Sequence, residues 1–287
     1  MASFKDLPTE ELLYGSFTCA GCGGTLAVRL ALKVLGKETV IVTPPCCLMG
    51  VTTFYPQMAF EVPVVNSVMP GTGAMISGLT AGLRRKGKEN ATVLGVAGDG
   101  GTFDIGLQAL SGAMERGEKF IFLCYDNEAY MNTGNQRSGA TPLGAYSSTT
   151  PRGKERNKKD MLRIADAHNI PYVASACISY PKDFMDKVAK AMAAPGPAYL
   201  QVLSPCPIGW GYNTADTIEI GRLAVQTGFW DLAEYQDGDF KITYKPNKRK
   251  PVTDYLSKQD RFSLMTPEEK DLIQIEIDEK WEKYNNK

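Results

Sequence analysis

The chain has 287 residues, 43% hydrophobic and 22% charged, with 32 basic residues balanced by 32 acidic ones. That length can bury a sizeable core. The zero balance excludes the broad basic face that nucleic-acid binding requires, and no apolar run is long enough for a transmembrane helix.

The N-terminal stretch MASFKDLPTEELLYGSF lacks the basic start and apolar block of a signal peptide, so a cytoplasmic protein is expected. CAGCG follows, with Cys19 and Cys22 spaced to reach one metal centre. A helix is predicted over 25–35 and a strand over 39–43. The next segment, 44–70, is long, apolar and irregular, and carries Cys46 and Cys47 in PPCCLMG. After a helix over 73–85 and a strand over 92–97 comes GDGG, which sets Asp99 among Gly98, Gly100 and Gly101. Alone this reads equally as a tight turn.

A helix over 105–116 and a strand over 120–125 lead to Asp126 and Asn127. If the strands ending near Asp99 and Asn127 are neighbours, a carboxylate and an amide oxygen emerge side by side. With a nearby backbone carbonyl they form half of an octahedral oxygen shell suited to Mg²⁺. The glycines of GDGG leave room for a diphosphate, and this pairing is the thiamine diphosphate signature. Residues 127–157 form a loop dense in small polar residues, and loops of that length are uncommon unless functional or disordered.

A helix over 158–167, a strand over 172–178, a helix over 181–194 and a strand over 198–203 complete the alternation. Such alternation predicts an α/β fold: a mostly parallel, doubly wound sheet with helices on both faces, binding ligands beyond the carboxyl ends of its strands. SPCPIGW then presents Cys206 between prolines. The tail from Trp210 is predicted to end in a charged helix opening at Thr266 and Pro267, with Glu269 completing a capping box.

Seven cysteines in a reducing compartment read as thiols or metal ligands. Cys124 and Cys177 fall inside strands and fit buried apolar roles. The CxxC pair with two loop cysteines suits four-cysteine zinc or a [4Fe–4S] cluster, which spacing does not separate. His168, the single histidine, sits at a helix-to-strand junction and reads as packing. Arg137 could hold a carboxylate or stand in solvent. The basic run KPNKRK reads as a solvated turn, or as a docking point for an acidic protein.

CAGCG, GDGGTFDIGLQALSGAMERG, YDNEAYMNTGNQRSGATP, AHNIPYVASA and SPCPIGW together resemble the beta subunits of pyruvate:ferredoxin oxidoreductase, in the 2-oxoacid:ferredoxin oxidoreductase family. The likeness covers roughly residues 15–255. It implies a thiamine diphosphate-binding fold whose residues 1–209 hold cofactor and cluster, with 210–287 packing on that domain or on partner subunits. It implies Mg²⁺ on Asp99, Asn127 and the Ala129 carbonyl. It implies thiamine diphosphate near Gly24, Gly100, Gly101, Asn132 and Thr133, with Asn132 and Arg137 at the reacting groups. It implies a [4Fe–4S] cluster on Cys19, Cys22, Cys47 and Cys206. Cys47 is preferred to Cys46 because the family has a glycine just before this ligand, where Cys46 stands.

The implied reaction is oxidative decarboxylation of a 2-oxoacid, pyruvate first, with electrons passed to ferredoxin and the acyl group to coenzyme A. The subunit would act only with alpha-, gamma- and delta-type partners, one of which supplies the thiamine-activating glutamate. Two stretches depart from the family pattern. CCLM has Met49 where an acid is usual, and NSVMPG has Met69 and Pro70 where an aromatic and an acid are usual. Oxalate oxidation to CO₂ without acyl-CoA is therefore the alternative. A non-catalytic zinc-bound subunit, or a thiamine enzyme without redox chemistry, are the readings from other classes.

Overall fold

Eight strands form one sheet in the order β2-β1-β3-β4-β6-β5-β7-β8. The computed structural model describes residues 8–53 and 58–285; residues 1–7, on which the N-terminal reading partly rests, and 54–57 of the long connection lie outside them. The strands are β1 (Thr39–Thr43), β2 (Val64–Asn66), β3 (Thr92–Gly98), β4 (Ile121–Asp126), β5 (Tyr172–Cys177), β6 (Ala198–Leu203), β7 (Ala233–Gln236) and β8 (Asp239–Ile242). The first six run parallel; β7 and β8 add an antiparallel edge. The helices are α1 (Gly23–Leu35), α2 (Met49–Thr52), α3 (Thr72–Arg85), α4 (Leu107–Arg116), α5 (Met161–Asp166), α6 (Pro181–Ala193), α7 (Pro207–Trp210), α8 (Thr217–Gln226), α9 (Thr253–Leu256) and α10 (Pro267–Asn285).

Parallel strands covered on both faces read as continuous apolar runs, and β4, β5 and β6 are buried at every position. Side chains alternate between two cores. Ile121, Leu123 and Tyr125 pack with Ala27, Val28 and Ala31 of α1 and with Phe184 and Val188 of α6. Phe122 and Cys124 face the other way, onto Ile76 of α3, Leu110 and Ala113 of α4 and Met161 of α5. Gly73 makes the α3–α4 contact possible: a β-carbon there would lie 2.4 Å from the Ala109 carbonyl carbon.

The tail builds a third core, in which Ile273, Ile277 and Trp281 of α10 pack with Leu223 of α8, Trp210, Trp230 and Leu203. The capping box of α10 is present, with Glu269 N donating to Thr266 Oγ1 and Thr266 N to a Glu269 carboxylate oxygen. Among the described residues no helix is long and apolar enough to cross a membrane.

Strand order fixes the candidate site. From β1 the chain steps outward to β2, then returns past β1 to β3 and β4, so its direction reverses between β1 and β3. Ligands of open α/β sheets bind outside the carboxyl ends of strands at such a reversal.

Candidate cofactor site at the carboxyl edge of the sheet

Asp99 follows β3 and Asn127 follows β4. The register pairs Gly98 with Tyr125, so both residues leave the sheet at the same edge. Asp99 is fully buried, and Asn127 is nearly so. The amide tip of Asn127 lies 2.9 Å from both Asp99 Oδ1 and the Ala129 carbonyl oxygen. With its NH₂ turned inward, Asn127 donates to both. With its oxygen turned inward, three oxygens converge on one point. That donor set, hard oxygen only and a single carboxylate, fits Mg²⁺.

Burial raises the Asp99 carboxyl well above its ordinary range, and the Asp126 charge adds to this. A hydrogen bond from Ser138 and the Lys158 charge act in the opposite sense. A divalent cation at this point would offset that cost.

The backbone around the site is unusual in two places. After Asp99 the chain makes a wide turn over Gly100–Asp104, in which Ile105 N donates to Gly100 O. Wide turns of this kind are rare and recur at functional sites. The predicted helix therefore opens two residues late, at Leu107. Glu128 has φ +67° and is fully buried. That left-handed conformation costs an L-residue roughly 1–2 kcal/mol.

Of the predicted glycines, Gly100 and Gly24 do not face open space. The Tyr130 ring lies over Gly100, within 2.3 Å of where its β-carbon would be, and Tyr130 Oη donates to Gly100 O. Gly24 sits in the first turn of α1 against the Tyr125 ring. Gly101 is buried beside Ala97 and Pro44.

Asn132 and Thr133 lie on an exposed turn closed by paired hydrogen bonds between Tyr130 and Gln136, and the exposed Arg137 follows directly after it. That turn packs toward the Cys206 loop: Asn135 Nδ2 donates to Gly209 O, and Gly209 leaves no room for a β-carbon beside Met131.

The cysteines of the three loops approach one another. Gly23 N donates to Pro205 O, and Thr217 Oγ1 to Gly21 O, which ties CAGCG to the segment after β6. Cys47 N donates to Tyr125 Oη. Burial pushes the Cys47 thiol up, and the sulfur charges of Cys46, Cys22, Cys206 and Cys19 add to it. The Cys206 thiol is raised to about 11, first by burial and with Cys22 and Cys19 contributing, while an N–H···S bond from Gly209 lowers it. Cys46 instead is buried and bonded to Thr43 Oγ1. A hollow of about 290 Å³ borders Cys19 and Cys22. Among the described residues no three His, Cys, Asp or Glu side chains are gathered closely enough for one metal ion.

Cys124 and Cys177 are fully buried in strands, as expected of apolar thiols. His168 bridges Ser111 Oγ and Ile164 O, a packing role.

The structure also brings in residues that sequence reasoning missed. Ser138 bonds Asp99, Thr141 bonds the Glu128 carbonyl, and Trp210 Nε1 donates to the Asn127 carbonyl. Glu128 itself pairs with Lys158 and Arg261. The small residues of SGATP were the available signal for Ser138 and Thr141; nothing local marked Arg261. A cleft of about 980 Å³ lies elsewhere, between α10 and the β5–β7 side, and is lined by neither Asp99 nor Asn127 nor any cysteine.

Residues 46–202 match the family model described as the thiamine pyrophosphate enzyme, C-terminal TPP binding domain. The chain is 54% identical to the pyruvate synthase subunit PorB of Methanothermobacter thermautotrophicus, covering 95% of this chain and 96% of the relative. It is 51% identical to PorB of Methanocaldococcus jannaschii over 95% and 96% of the two chains. It is 45% identical to the ketoisovalerate oxidoreductase subunit VorB of Pyrococcus abyssi over 96% and 93%. In fold it is similar to a 2-oxoglutarate:ferredoxin oxidoreductase from Magnetococcus marinus, with TM-score 0.59, 23% identity and coverage of 71% and 67%. With this sheet, this edge and these relatives, the chain belongs to the thiamine-dependent 2-oxoacid:ferredoxin oxidoreductases and is a subunit of that enzyme family.

Proposed function

We propose that the chain is the beta-type subunit of a pyruvate:ferredoxin oxidoreductase. It would hold the Mg²⁺–diphosphate end of thiamine diphosphate at Asp99, Asn127 and the Ala129 carbonyl, and a [4Fe–4S] cluster at Cys19, Cys22, Cys47 and Cys206. The observation that carries the cofactor site is the 2.9 Å convergence of the Asn127 tip on Asp99 and Ala129 O. The mutual sulfur charges at Cys47 support the cluster. Four cysteines brought in from three loops suit a [4Fe–4S] cluster, and the metal analysis below separates it from zinc.

Thiamine diphosphate, when bound, would supply carbanion chemistry, and a cluster held by the four cysteines would supply one-electron transfer. The chain's own residues would hold the cation, with Ser138 and Lys158 favouring the ionised Asp99 against the cost of its burial, and they fix the polar turn carrying Asn132 and Thr133. There Asn132 would meet the thiazolium side of the cofactor, and Arg137, just beyond the turn, the substrate carboxylate. A cytoplasmic setting accords with the cluster and thiol roles proposed for its cysteines. Alpha-, gamma- and delta-type subunits, ferredoxin and coenzyme A complete the working enzyme, and a partner chain supplies the activating glutamate.

Pyruvate is favoured by the PorB likeness at 54% identity. The stretch 66–71, which departs from the family pattern, lies at the end of β2, with the Met69 carbonyl close to Gly106 at the start of α4. The test is anaerobic purification of the native complex, with iron and zinc analysis and acceptor reduction by pyruvate, oxalate and branched oxoacids, each with and without coenzyme A. Iron, bound thiamine and coenzyme A-dependent pyruvate turnover are expected. Zinc without thiamine would refute the assignment, and rapid oxalate turnover without pyruvate turnover would refute the substrate.

A further inference from the structure

Glu128 stands between two proposed cation ligands, Asn127 and Ala129, and is built unlike its neighbours. It is the one glutamate among the four described non-glycine residues with positive φ; the others are Asn135, Asn169 and Asp237. Asparagine and aspartate tolerate the left-handed region through short polar side chains, whereas glutamate gains nothing there. A sequence choosing glutamate at such a position must draw something from the carboxylate.

That carboxylate is gripped from two sides. Lys158 Nζ lies 2.9 Å from Oε1, and Arg261 Nη1 lies 2.8 Å from Oε2. Both cations are themselves fixed. Lys158 also pairs with Asp126 at 3.1 Å and sits over the Trp230 ring. Arg261 stacks 3.7 Å above the Trp210 ring and donates to Gln259 Oε1 and Tyr255 Oη. The backbone of the turn is held as well: Glu128 N donates to Asp126 Oδ1, Thr141 Oγ1 to Glu128 O, and Trp210 Nε1 to Asn127 O. The left-handed residue Glu128 sits between the Asn127 side chain and the Ala129 carbonyl, which meet beside Asp99.

We infer that Glu128, clamped between Lys158 and Arg261, is a positioning residue that holds the Asn127–Ala129 turn in its cation-binding shape. The inference rests on the cation site proposed above. It gives the C-terminal region a direct part in that site, since Trp210 and Arg261 both belong to it. Loss of an outer partner that orients a metal ligand commonly costs about 10–100-fold in metal affinity.

The test uses the assembled complex, stripped of thiamine diphosphate and Mg²⁺, with excess thiamine diphosphate returned and Mn²⁺ titrated in. Free Mn²⁺ is read by electron paramagnetic resonance. Glu128→Gln, nearly the same shape without the charge, is expected to weaken Mn²⁺ binding about tenfold or more, while visible absorbance and elution volume stay as in wild type. Glu128→Ala and Glu128→Gly lose the same carboxylate, but glycine accepts positive φ without strain. The glycine variant is therefore expected to bind Mn²⁺ more tightly than the alanine variant, a ranking that a purely structural loss would not produce. Wild-type Mn²⁺ binding by Glu128→Gln, beside its loss in Asp99→Asn, would overturn the inference, as would alanine outperforming glycine. Wild-type binding by Asp99→Asn would sink the cation site itself, and this inference with it.

Discussion

Asn127 reaches across from the end of β4 to within 2.9 Å of the Asp99 carboxylate at the end of β3, and neither side chain is anchored by its own strand alone. Asp99 is the only carboxylate among the three converging donors. Asp99→Asn is therefore expected to weaken thiamine diphosphate binding in Mg²⁺ by at least the roughly 100-fold that loss of an outer partner can cost. Asn127→Ala, which leaves the carboxylate, is expected to cost less. Titration of the cofactor into the stripped complex measures both; equal affinity in wild type and Asp99→Asn would refute the site.

Cys46 and Cys47 are adjacent but differently placed. Cys46 points into the core beside Thr43, whereas Cys47 shares the field of Cys19, Cys22 and Cys206. Cys47→Ala is expected to strip iron and visible colour from the anaerobic complex, and Cys46→Ala to keep both. The reverse pattern would exchange the assignment.

Two glycines of α3 are expected to respond to alanine with opposite sign. At Gly73 a β-carbon would meet the Ala109 backbone at 2.4 Å, so Gly73→Ala should cost roughly 1–3 kcal/mol by overpacking. At Gly78 nothing lies within 4 Å, so Gly78→Ala should stabilise by roughly 0.5–1 kcal/mol through helix propensity. Urea unfolding of the two variants checks the pair; a neutral Gly73→Ala would mean that α3 and α4 can separate freely.

Lys154 is buried and donates to the carbonyls of Gly139 and Thr141. Burial first, then the charges of Arg137 and Lys158, hold its ammonium down at about 8, against an ordinary 10.5. Between those values the unfolded chain keeps a proton that the folded chain has released. Stability contributed by this group therefore rises with pH through that window and is lowest below about 8. Relative to a Lys154→Met variant, wild type should gain melting temperature as pH climbs from 8 to 10.5. A constant difference would show that Lys154 does not titrate there.

Much of the fold was legible because apolar runs and helical patterns alternate cleanly. The strand over 39–43 and the strand over 198–203 match β1 and β6 in full, and Thr266 caps α10 as its box predicts. Asp99 and Asn127 were legible as neighbours because parallel strands in sequence order place their exits together. The late start of α4 was not, since the wide turn after Asp99 depends on burial of Gly100–Phe103 rather than on propensity. Nor was the space beside Gly100, which Tyr130 fills from a different loop. The pairing of Arg261 with Glu128 is a long-range contact between charges, and charges in sequence read first as solvent-facing. The strands β7 and β8 went unread because each is short and only partly buried.

The hydrogen bonds joining Gly21 to Thr217 and Gly23 to Pro205 close a circuit from near the start of the chain to well past its middle. A polypeptide still emerging from the ribosome cannot make that closure until the stretch beyond β6 is available. The loop bearing Cys19 and Cys22 therefore takes its final place only after that later stretch has been made.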